Sequence, residues 1–249
     1  MFGKNTPAKA RSAADGFLLH SIFYTIQGEG PFAGMPAIFV RFAGCNLRCT
    51  WCDTEFEKGA RKISAEKLMD EIALLISQHE CQLVVLTGGE PMLQPLTGLI
   101  ALLDSHAIAV QIETAGTVWP EGLTEWLKEA FCPEVTFVVS PKTPDLHPEV
   151  IAHADYFKYI IRAGELSEDD GLPFYRTQAV KPANLEVKLF RPESLTDGFN
   201  PSSIFVQPCD EPGHTGIPLN SLNMVAATKS ALKYGYRLSI QLHKIAGLE

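Results

Sequence analysis

Three cysteines stand close together in the run CNLRCTWC, residues 45–52. Three thiols cannot pair among themselves without leaving one over, so this spacing argues against a local disulfide framework. As thiolates they are ligands for soft metals. Structural zinc takes four protein ligands and is the usual alternative for clustered cysteines, but no fourth cysteine or histidine lies nearby in the sequence. The spacing therefore favours an iron–sulfur cluster held by Cys45, Cys49 and Cys52, with one iron left open to a substrate or cofactor.

A second segment with chemical potential is TGGEP, residues 87–91, which follows a short apolar run. Paired glycines let a backbone approach a ligand closely, and Thr87 and Glu90 offer polar groups at the carboxyl end of a predicted strand. Barrel-like α/β folds build their active sites at that end. An ordinary strand-to-helix turn is the alternative. The cysteine loop leaves the same end of the preceding strand, which favours a shared site.

The elements that must position these segments alternate between short apolar strands and helices. Strands are predicted at residues 36–42, 83–86, 109–112, 135–139, 156–161, 203–206 and 236–242. Helices are predicted from a Ser64 cap to about residue 78, at 96–105 and 123–130, and from an Asn220 cap to Gly235. This alternation predicts an α/β fold with mainly parallel strands, curved into an incomplete barrel.

Length and composition describe an ordinary globular protein. The chain has 249 residues, of which 46% are hydrophobic and 20% charged. We expect a flexible N-terminal tail at 1–16, which has no apolar core and so is not a signal peptide, and a single domain at 17–249 with an insertion at about 165–201. No apolar run approaches the ~18 residues of a membrane span. The net charge of −8 argues against direct nucleic-acid binding. Cysteine usage suits the reducing cytoplasm.

Together, the cysteine run and TGGEP resemble the radical S-adenosylmethionine (SAM) superfamily. In that superfamily three cysteines hold a four-iron, four-sulfur cluster whose open iron binds the methionine part of SAM. Reductive cleavage of SAM then gives a 5′-deoxyadenosyl radical that abstracts hydrogen from the substrate. Residues 22–54 are more closely similar to the 7-carboxy-7-deazaguanine synthase family, with shorter matches at 87–91, 113–117, 140–142, 207–210 and 241–244.

This resemblance implies an activity and its requirements. The reaction is radical ring contraction of 6-carboxy-5,6,7,8-tetrahydropterin to 7-carboxy-7-deazaguanine with loss of ammonia, in 7-deazapurine (queuosine) biosynthesis. It implies one [4Fe-4S] cluster, SAM and Mg²⁺ as cofactors. It also implies an external electron donor such as flavodoxin and a homodimer.

The resemblance also implies roles for individual residues, each carried over by its place in a motif. Substrate contacts fall on Ile26, Gln27, Gly28, Arg41, Thr87 and His243. Contacts with SAM fall on Trp51, Asp53, Gly89, Glu90, Ser140, Pro141, Lys142, Gln207, Pro208, Cys209 and Asp210. The cluster falls on Cys45, Cys49 and Cys52, and Mg²⁺ on Thr54. No side chain is expected to be catalytic in itself, since the cofactor supplies the radical.

Plainer interpretations exist for several of these residues. Arg41 could instead form a salt bridge at a strand end. Thr54 could be a capping residue in a turn, and His243 could be a packing or surface residue. At the level of the whole chain, the alternatives are an activase of glycyl-radical enzymes, which acts on a protein partner, and a non-enzymatic cluster or zinc protein. The polar motifs after several strands argue against the last.

Overall fold

The computed structural model describes residues 5–131, 133–174, 188–192, 200–210 and 221–248. Its strands are β1 (Phe17–Ile26), β2 (Pro36–Phe42), β3 (Arg61–Ile63), β4 (Leu83–Gly88), β5 (Ala109–Thr114), β6 (Val135–Val139), β7 (Tyr156–Ile161), β8 (Ile204–Pro208) and β9 (Arg237–Leu238). Its α-helices are α1 (Ala65–His79), α2 (Leu96–Ser105), α3 (Leu123–Glu129), α4 (Pro148–His153), α5 (Leu222–Tyr234) and α6 (Leu242–Ile245).

The strands form one mixed sheet in the order β3-β1-β2-β4-β5-β6-β7-β8-β9. Every neighbouring pair from β2 to β9 is parallel, whereas β1 is antiparallel to both β2 and β3. The two edges, β3 and β9, are not paired with each other, so the sheet does not close through hydrogen bonds. The predicted α/β fold with mainly parallel strands and an incomplete barrel is confirmed.

Alternation along each strand separates a helix-covered face from an inner face. In β2 and β4, Ile38, Val40, Val84 and Leu86 belong to the large core packed under α1 and α2. Their neighbours Ala37, Phe39, Leu83 and Val85 form a separate cluster on the opposite face. In the half of the sheet nearer β9, apolar residues of β7 and β8 pack against α5 in a further cluster. Helices therefore cover one face and leave the other to enclose an interior.

The helix caps show how closely sequence signals fix the ends of helices. Ser64 caps α1 as predicted, its side chain accepting a hydrogen bond from the amide of Lys67. The predicted Asn220 cap of α5 is wrong by one residue, because Ser221 accepts the bond from the amide of Met224. Asn220 itself lies outside the described residues. The predicted end of α5 at Gly235, which has a φ of 77°, is confirmed.

The closing strand predicted at 236–242 is wrong in length. It has only the two residues of β9, and the chain then turns into α6. The polar residues of this segment explain the difference. Ser239 and Gln241 are buried and turn their side chains into interior hydrogen bonds with Gln207 and Glu29. The alternation of apolar and polar residues at 236–242 therefore reflects polar side chains that bond inside the protein, and it does not indicate a longer strand.

Four elements were not predicted, namely β1, β3, α4 and α6. Strand β1 lacks a regular alternation of apolar and polar residues, and its burial pattern is irregular as well. The other three are six residues or fewer, too short to give a periodic signal.

The predicted division of the chain stays a prediction, although the structure describes parts of it. Residues 5–16 of the expected tail are described, and Ala8 among them contacts the cysteine loop, its amide donating to the carbonyl of Cys45 at 2.9 Å. In the expected insertion, Arg191 and Asp170 form an ion pair at 2.7 Å. The run LEVKLF at 185–190 is a candidate for a further strand, but 185–187 fall outside the described residues and 188–190 are not in a strand. Within the described ranges, no helix is both long and apolar enough to cross a membrane.

Candidate active site

A cavity of about 400 Å³ lies at the carboxyl ends of the parallel strands. Its walls come from residues on or directly after β1, β2, β4, β5, β6, β7 and β8. Seven strands laid side by side in a flat sheet would span about 30 Å, since neighbours are ~4.8 Å apart. One cavity can touch all of them only because the sheet curls around it. The active-site end predicted from the sequence is the end where this cavity lies.

Most residues predicted for the site line this cavity. They are Gln27, Arg41, Cys45, Cys49, Trp51, Cys52, Asp53, Thr54, Thr87, Gly89, Ser140, Lys142, Gln207, Pro208, Asp210 and His243. Five others do not line it: Ile26, Gly28, Glu90, Pro141 and Cys209. Their roles in binding stay predictions, and the contacts of Gly28 and Glu90 are described below.

The three cysteines of the motif line the same cavity, and none of them is in a disulfide. The amide of Leu47 lies 3.4 Å from Sγ of Cys45, a backbone donor to a sulfur of the kind that tunes iron–sulfur centres. Burial, with added repulsion from Glu90 and the other two cysteines, raises the pKa of Cys45 to about 12. Such a thiol ionises readily only beside a positive metal centre.

The three thiols form a donor set of the kind that holds an iron–sulfur cluster. Within the described part of the chain, no three His, Cys, Asp or Glu side chains lie close enough to share one metal ion. Three thiolates that each bind a different iron of a cube do not need that proximity. The donor set, which is three sulfurs on one cavity wall, therefore fits a four-iron, four-sulfur cluster.

The two glycines of TGGEP are explained by the close packing of β4 against the start of the cysteine loop. A Cβ on Gly88, whose φ is 126°, would overlap the backbone of Phe42, and one on Gly89 would overlap the carbonyl of Gly44. Two backbone hydrogen bonds hold the contact, from the amide of Gly89 to Phe42 at 3.0 Å and from that of Glu90 to Gly44 at 2.9 Å. The glycines thus position the cysteine loop.

Glu90 joins the ends of two strands. Its fully buried carboxylate accepts hydrogen bonds from the Thr114 hydroxyl at 2.6 Å and from the amides of Ala115 and Met92 at 2.8 and 3.1 Å. Burial raises the pKa of this carboxyl despite those donors. The predicted contact of Glu90 with SAM stays a prediction, while the structure uses its carboxylate to fix the loop after β5.

The cavity floor holds three charged residues that sequence reasoning did not assign to the site: Glu29, Glu113 and Lys158. Lys158, on β7, forms a short ion pair with Glu29 and lies 3.8 Å from Glu113. Glu29 and Lys158 are only 8% and 6% exposed. Amide side chains complete the network, because Gln207 and Gln241 donate to Glu29 at 3.1 and 2.7 Å.

Burial alone would make both charges of this pair unfavourable. It would raise the pKa of Glu29, but the adjacent Lys158 ammonium and its hydrogen bonds hold that pKa below the usual range. It would likewise lower the pKa of Lys158, but Glu113 and Glu29 raise that pKa instead. The pair is therefore ionised at neutral pH. A lysine inside the apolar strand YFKYII is the sequence signal that could have revealed it.

Helix α6 brings the C-terminal end of the chain to the cavity. Lys244 forms ion pairs with Asp53, directly after the last cysteine, at 2.8 Å and with Asp210, after β8, at 2.7 Å. Partial burial would raise the pKa of Asp53, but Lys244 holds it below the ordinary value. Two buried atoms, Oε1 of Gln241 and Nδ1 of His243, have no hydrogen-bond partner among the described residues. Both residues line the cavity.

Arg41 and Thr87, both predicted to contact the substrate, are cross-strand neighbours on β2 and β4. The Arg41 guanidinium lies over the ring of Phe23, 5.1 Å from its centroid. Thr54 donates a hydrogen bond to Asp53 at 3.3 Å. This bond is compatible with the alternative of a turn residue, and the hydroxyl also faces the cavity.

Lys142 and Trp51 lie side by side in another part of the cavity wall. The Lys142 ammonium lies 5.1 Å from the centroid of the Trp51 ring and donates to the Ser140 carbonyl at 2.9 Å. Burial lowers the pKa of Lys142, partly offset by the nearby Cys49. These three residues bring the predicted SAM contacts after β6 next to the cysteine loop.

Comparisons with known proteins agree with this arrangement. The family model for the radical SAM superfamily matches residues 39–178. The 7-carboxy-7-deazaguanine synthase of Rhodospirillum rubrum is 43% identical and that of Rickettsia prowazekii 36% identical. The alignments cover 98% of this chain and 98% of the first relative, and 100% of this chain and 96% of the second. The crystal structure of QueE from Escherichia coli has a TM-score of 0.61 at 23% identity, covering 90% of this chain and 93% of that one, and so shares the fold.

Proposed function

The chain belongs to the radical SAM superfamily and, within it, to the 7-carboxy-7-deazaguanine synthase family, and we propose that it converts 6-carboxy-5,6,7,8-tetrahydropterin to 7-carboxy-7-deazaguanine and ammonia. It is an enzyme of 7-deazapurine biosynthesis. One observation carries the assignment of the substrate. A single cavity collects three cysteine thiols, an arginine and a histidine from segments far apart in the chain.

The cavity is divided by the chemistry of its walls. Cys45, Cys49 and Cys52 would hold the cluster at the wall formed by the cysteine loop. SAM would lie between that wall and Ser140–Lys142, with Asp210 beyond. The pterin would lie over Gln27 and His243, beside Gln241, whose Oε1 has no hydrogen-bond partner among the described residues. When bound, the cluster and SAM supply the radical that takes hydrogen from the substrate.

The residues of this chain bind, orient and exclude water. Arg41 offers a planar donor pair that suits a substrate carboxylate. The ionised Glu29–Lys158 pair gives the floor a fixed polar surface that does not have to reorganise during the reaction. Thr54 is proposed to ligate Mg²⁺ through its hydroxyl, with water and the substrate carboxylate as the remaining oxygen ligands.

The proposal extends to partners. An external donor such as flavodoxin would supply the electron, and the half-buried positions of Cys49 and Cys52 leave the cluster within reach of one. By the same family reasoning the enzyme acts in the cytoplasm as a homodimer. Sedimentation analysis of the purified protein tests the dimer.

An anaerobic assay tests the function. Reconstituted protein is incubated with reductant, SAM, Mg²⁺ and 6-carboxy-5,6,7,8-tetrahydropterin, and the product is identified by mass spectrometry. We expect 7-carboxy-7-deazaguanine and ammonia in equal amounts, with SAM used catalytically. Accumulation of one 5′-deoxyadenosine per product would contradict the catalytic use of SAM. A loaded enzyme that leaves the pterin unchanged would contradict the proposed substrate.

A further inference from the structure

The N-terminal segment 5–12 has no regular secondary structure, yet it is fixed against the cysteine loop. The amide of Ala8 donates to the carbonyl of Cys45 at 2.9 Å, and the amide of Arg11 donates to that of Leu93 at 2.8 Å. The side chain of Arg11 then donates to the carbonyls of Asp15 and Gly16 at 2.8 and 3.1 Å. We call residues 5–12 the N-terminal strap.

Asn5 is the buried polar residue of this strap. Its side chain is only 4% exposed, whereas its neighbours Thr6 and Lys9 are exposed. Nδ2 donates to the carbonyl of Leu47 at 2.8 Å and to that of Cys45 at 3.3 Å. Asn5 also lines the cavity with the three motif cysteines. One side-chain amide therefore joins two backbone carbonyls in the segment between the first and second cysteines.

The cysteine loop needs such donors because most of it lies outside helices and strands. Backbone carbonyls buried without a ladder partner are costly unless another group donates to them. Gly44, with a φ of 88°, also presses on the strap, since a Cβ there would lie 3.1 Å from that of Ala8. The carbonyl of Cys45 thus accepts from Ala8 and Asn5, while the carbonyl of Gly44 just before it accepts from the amide of Glu90.

We infer that Asn5 is a positioning residue for the cluster, acting through the backbone of Cys45 and Leu47. The strap, on this view, keeps the cysteine loop in the conformation that retains iron. The inference rests on the proposed function, because it places a cluster at Cys45, Cys49 and Cys52. It concerns a segment outside the motif matches that indicated the family.

The test compares Asn5→Ala, Asn5→Ser and Asn5→Asp with Thr6→Ala, an exposed neighbour, as the matched control. Each protein is loaded anaerobically, and iron release to a ferrous chelator is followed by absorbance. We expect release about five- to tenfold faster in Asn5→Ala, because it loses two hydrogen bonds to the loop. Asn5→Ser, which keeps one donor, should fall between, and Asn5→Asp should release at least as fast because a carboxylate would face two carbonyl oxygens.

Two further measurements separate positioning from general stability. The electron paramagnetic resonance spectrum of the reduced cluster should change in Asn5→Ala, both alone and with SAM, while the melting temperature stays near that of Thr6→Ala. Wild-type rates of release and an unchanged spectrum in the Asn5 variants would overturn this inference alone. A wild-type protein that takes up no cluster would overturn the proposed function and the inference with it.

Discussion

Gly28 and His243 touch so closely that a Cβ atom on Gly28 would overlap the imidazole ring. The two residues follow strands at opposite ends of the strand order, since Gly28 follows β1, next to the edge strand β3, and His243 lies in α6 after the other edge strand, β9. The amide of Leu242 donates to the carbonyl of Gly28 at 3.1 Å and fixes the contact. Side chains and loops therefore close the gap in the barrel that strand pairing leaves open.

Gly28→Ala should weaken pterin binding through His243. The added methyl has to displace the imidazole or the backbone of α6, and overpacking of this kind costs about 1–3 kcal/mol of folding free energy. Because the displaced imidazole no longer meets the pterin, the KM for the pterin should rise roughly five- to tenfold, as expected for the loss of a hydrogen bond worth about 1–1.5 kcal/mol. Cluster content should not change, because the cysteine loop is not touched. Steady-state kinetics with the carboxypterin checks this.

Gly98→Ala is the matched control for that substitution. Gly98 lies in α2, and a Cβ there would meet nothing within 4 Å. Its KM should equal that of wild type, and the helix should gain slightly in stability. If Gly28→Ala binds the pterin as well as Gly98→Ala does, His243 is not a pterin contact.

Removing any one motif cysteine should abolish the cluster. Cys45→Ala, Cys49→Ala and Cys52→Ala each delete one of only three anchors, so we expect loss of the visible absorption and of bound iron and sulfide after anaerobic reconstitution. Cys81→Ala is the control, because Cys81 is buried beside β2 and β4 and lies outside the cavity. Cys132→Ala, at a position outside the described residues, should also load normally. Full loading of Cys49→Ala would rule out the proposed ligand set.

The positions of the cysteine loop and of most strands could be predicted because those signals are local. The apolar run at 36–42 predicts the strand β2, and the hydroxyl of Ser64 predicts the start of helix α1. Both signals come from residues that are neighbours in the sequence. The Glu29–Lys158 pair could not be found in this way. Its members are far apart in sequence and meet only after the sheet curls. The same holds for Lys244, whose two carboxylate partners come from different loops.

The polar inner face of the sheet could not be predicted either, because the strands were identified as short apolar runs. Val110 and Ile112 on β5 face the helices, while the alternate residues Gln111 and Glu113 face inward. A parallel sheet buried on both sides usually shows apolar residues throughout. Alternating polar residues in such strands indicate that the inner face encloses a ligand.

Glu29→Gln should destabilise the fold strongly, because it leaves the buried Lys158 ammonium without its closest anion. Breaking a buried ion pair in this way costs about 3–5 kcal/mol. The pKa of Glu29 lies below its unfolded value, so its stabilisation is present above about pH 4.5 and is lost as the pH falls through the folded pKa. Urea denaturation at pH 7 and pH 4 measures both effects.

Two variants control that prediction. Glu71→Gln removes one partner of an exposed ion pair with Arg61 and should cost under about 1 kcal/mol. The double variant Glu29→Gln with Lys158→Met removes both buried charges and should recover part of the lost stability without restoring activity. Equal effects of Glu29→Gln and Glu71→Gln would show that the buried pair contributes no more than an exposed one.

Thr54 and Arg41 should fail in different ways. Thr54→Ala removes a hydroxyl from the proposed magnesium site and should shift the Mg²⁺ activation curve to higher concentration. Arg41→Ala removes charge-assisted hydrogen bonds worth about 1.5–3 kcal/mol and should lower kcat/KM for the pterin by roughly ten- to a hundred-fold at saturating Mg²⁺. Each variant is the control for the other. Identical Mg²⁺ curves for wild type and Thr54→Ala would leave Thr54 as the turn residue that its bond to Asp53 allows.

His243 should make the stability of the enzyme depend on pH between about 5 and 7. Burial lowers the pKa of this imidazole, with Glu29 opposing and Lys244 adding to the effect, and Glu113 and Asp53 are the other charged groups near it. As the pH falls below the unfolded value of about 6.5, the unfolded chain takes up a proton that the folded chain refuses, so stability is lost. His243→Gln cannot titrate, and groups common to both proteins cancel in the comparison. The melting temperature of wild type should therefore fall more than that of His243→Gln between pH 7.5 and pH 5.5. Parallel curves would show that the imidazole titrates as it does in the unfolded chain, and the lowering of its pKa by burial would be wrong.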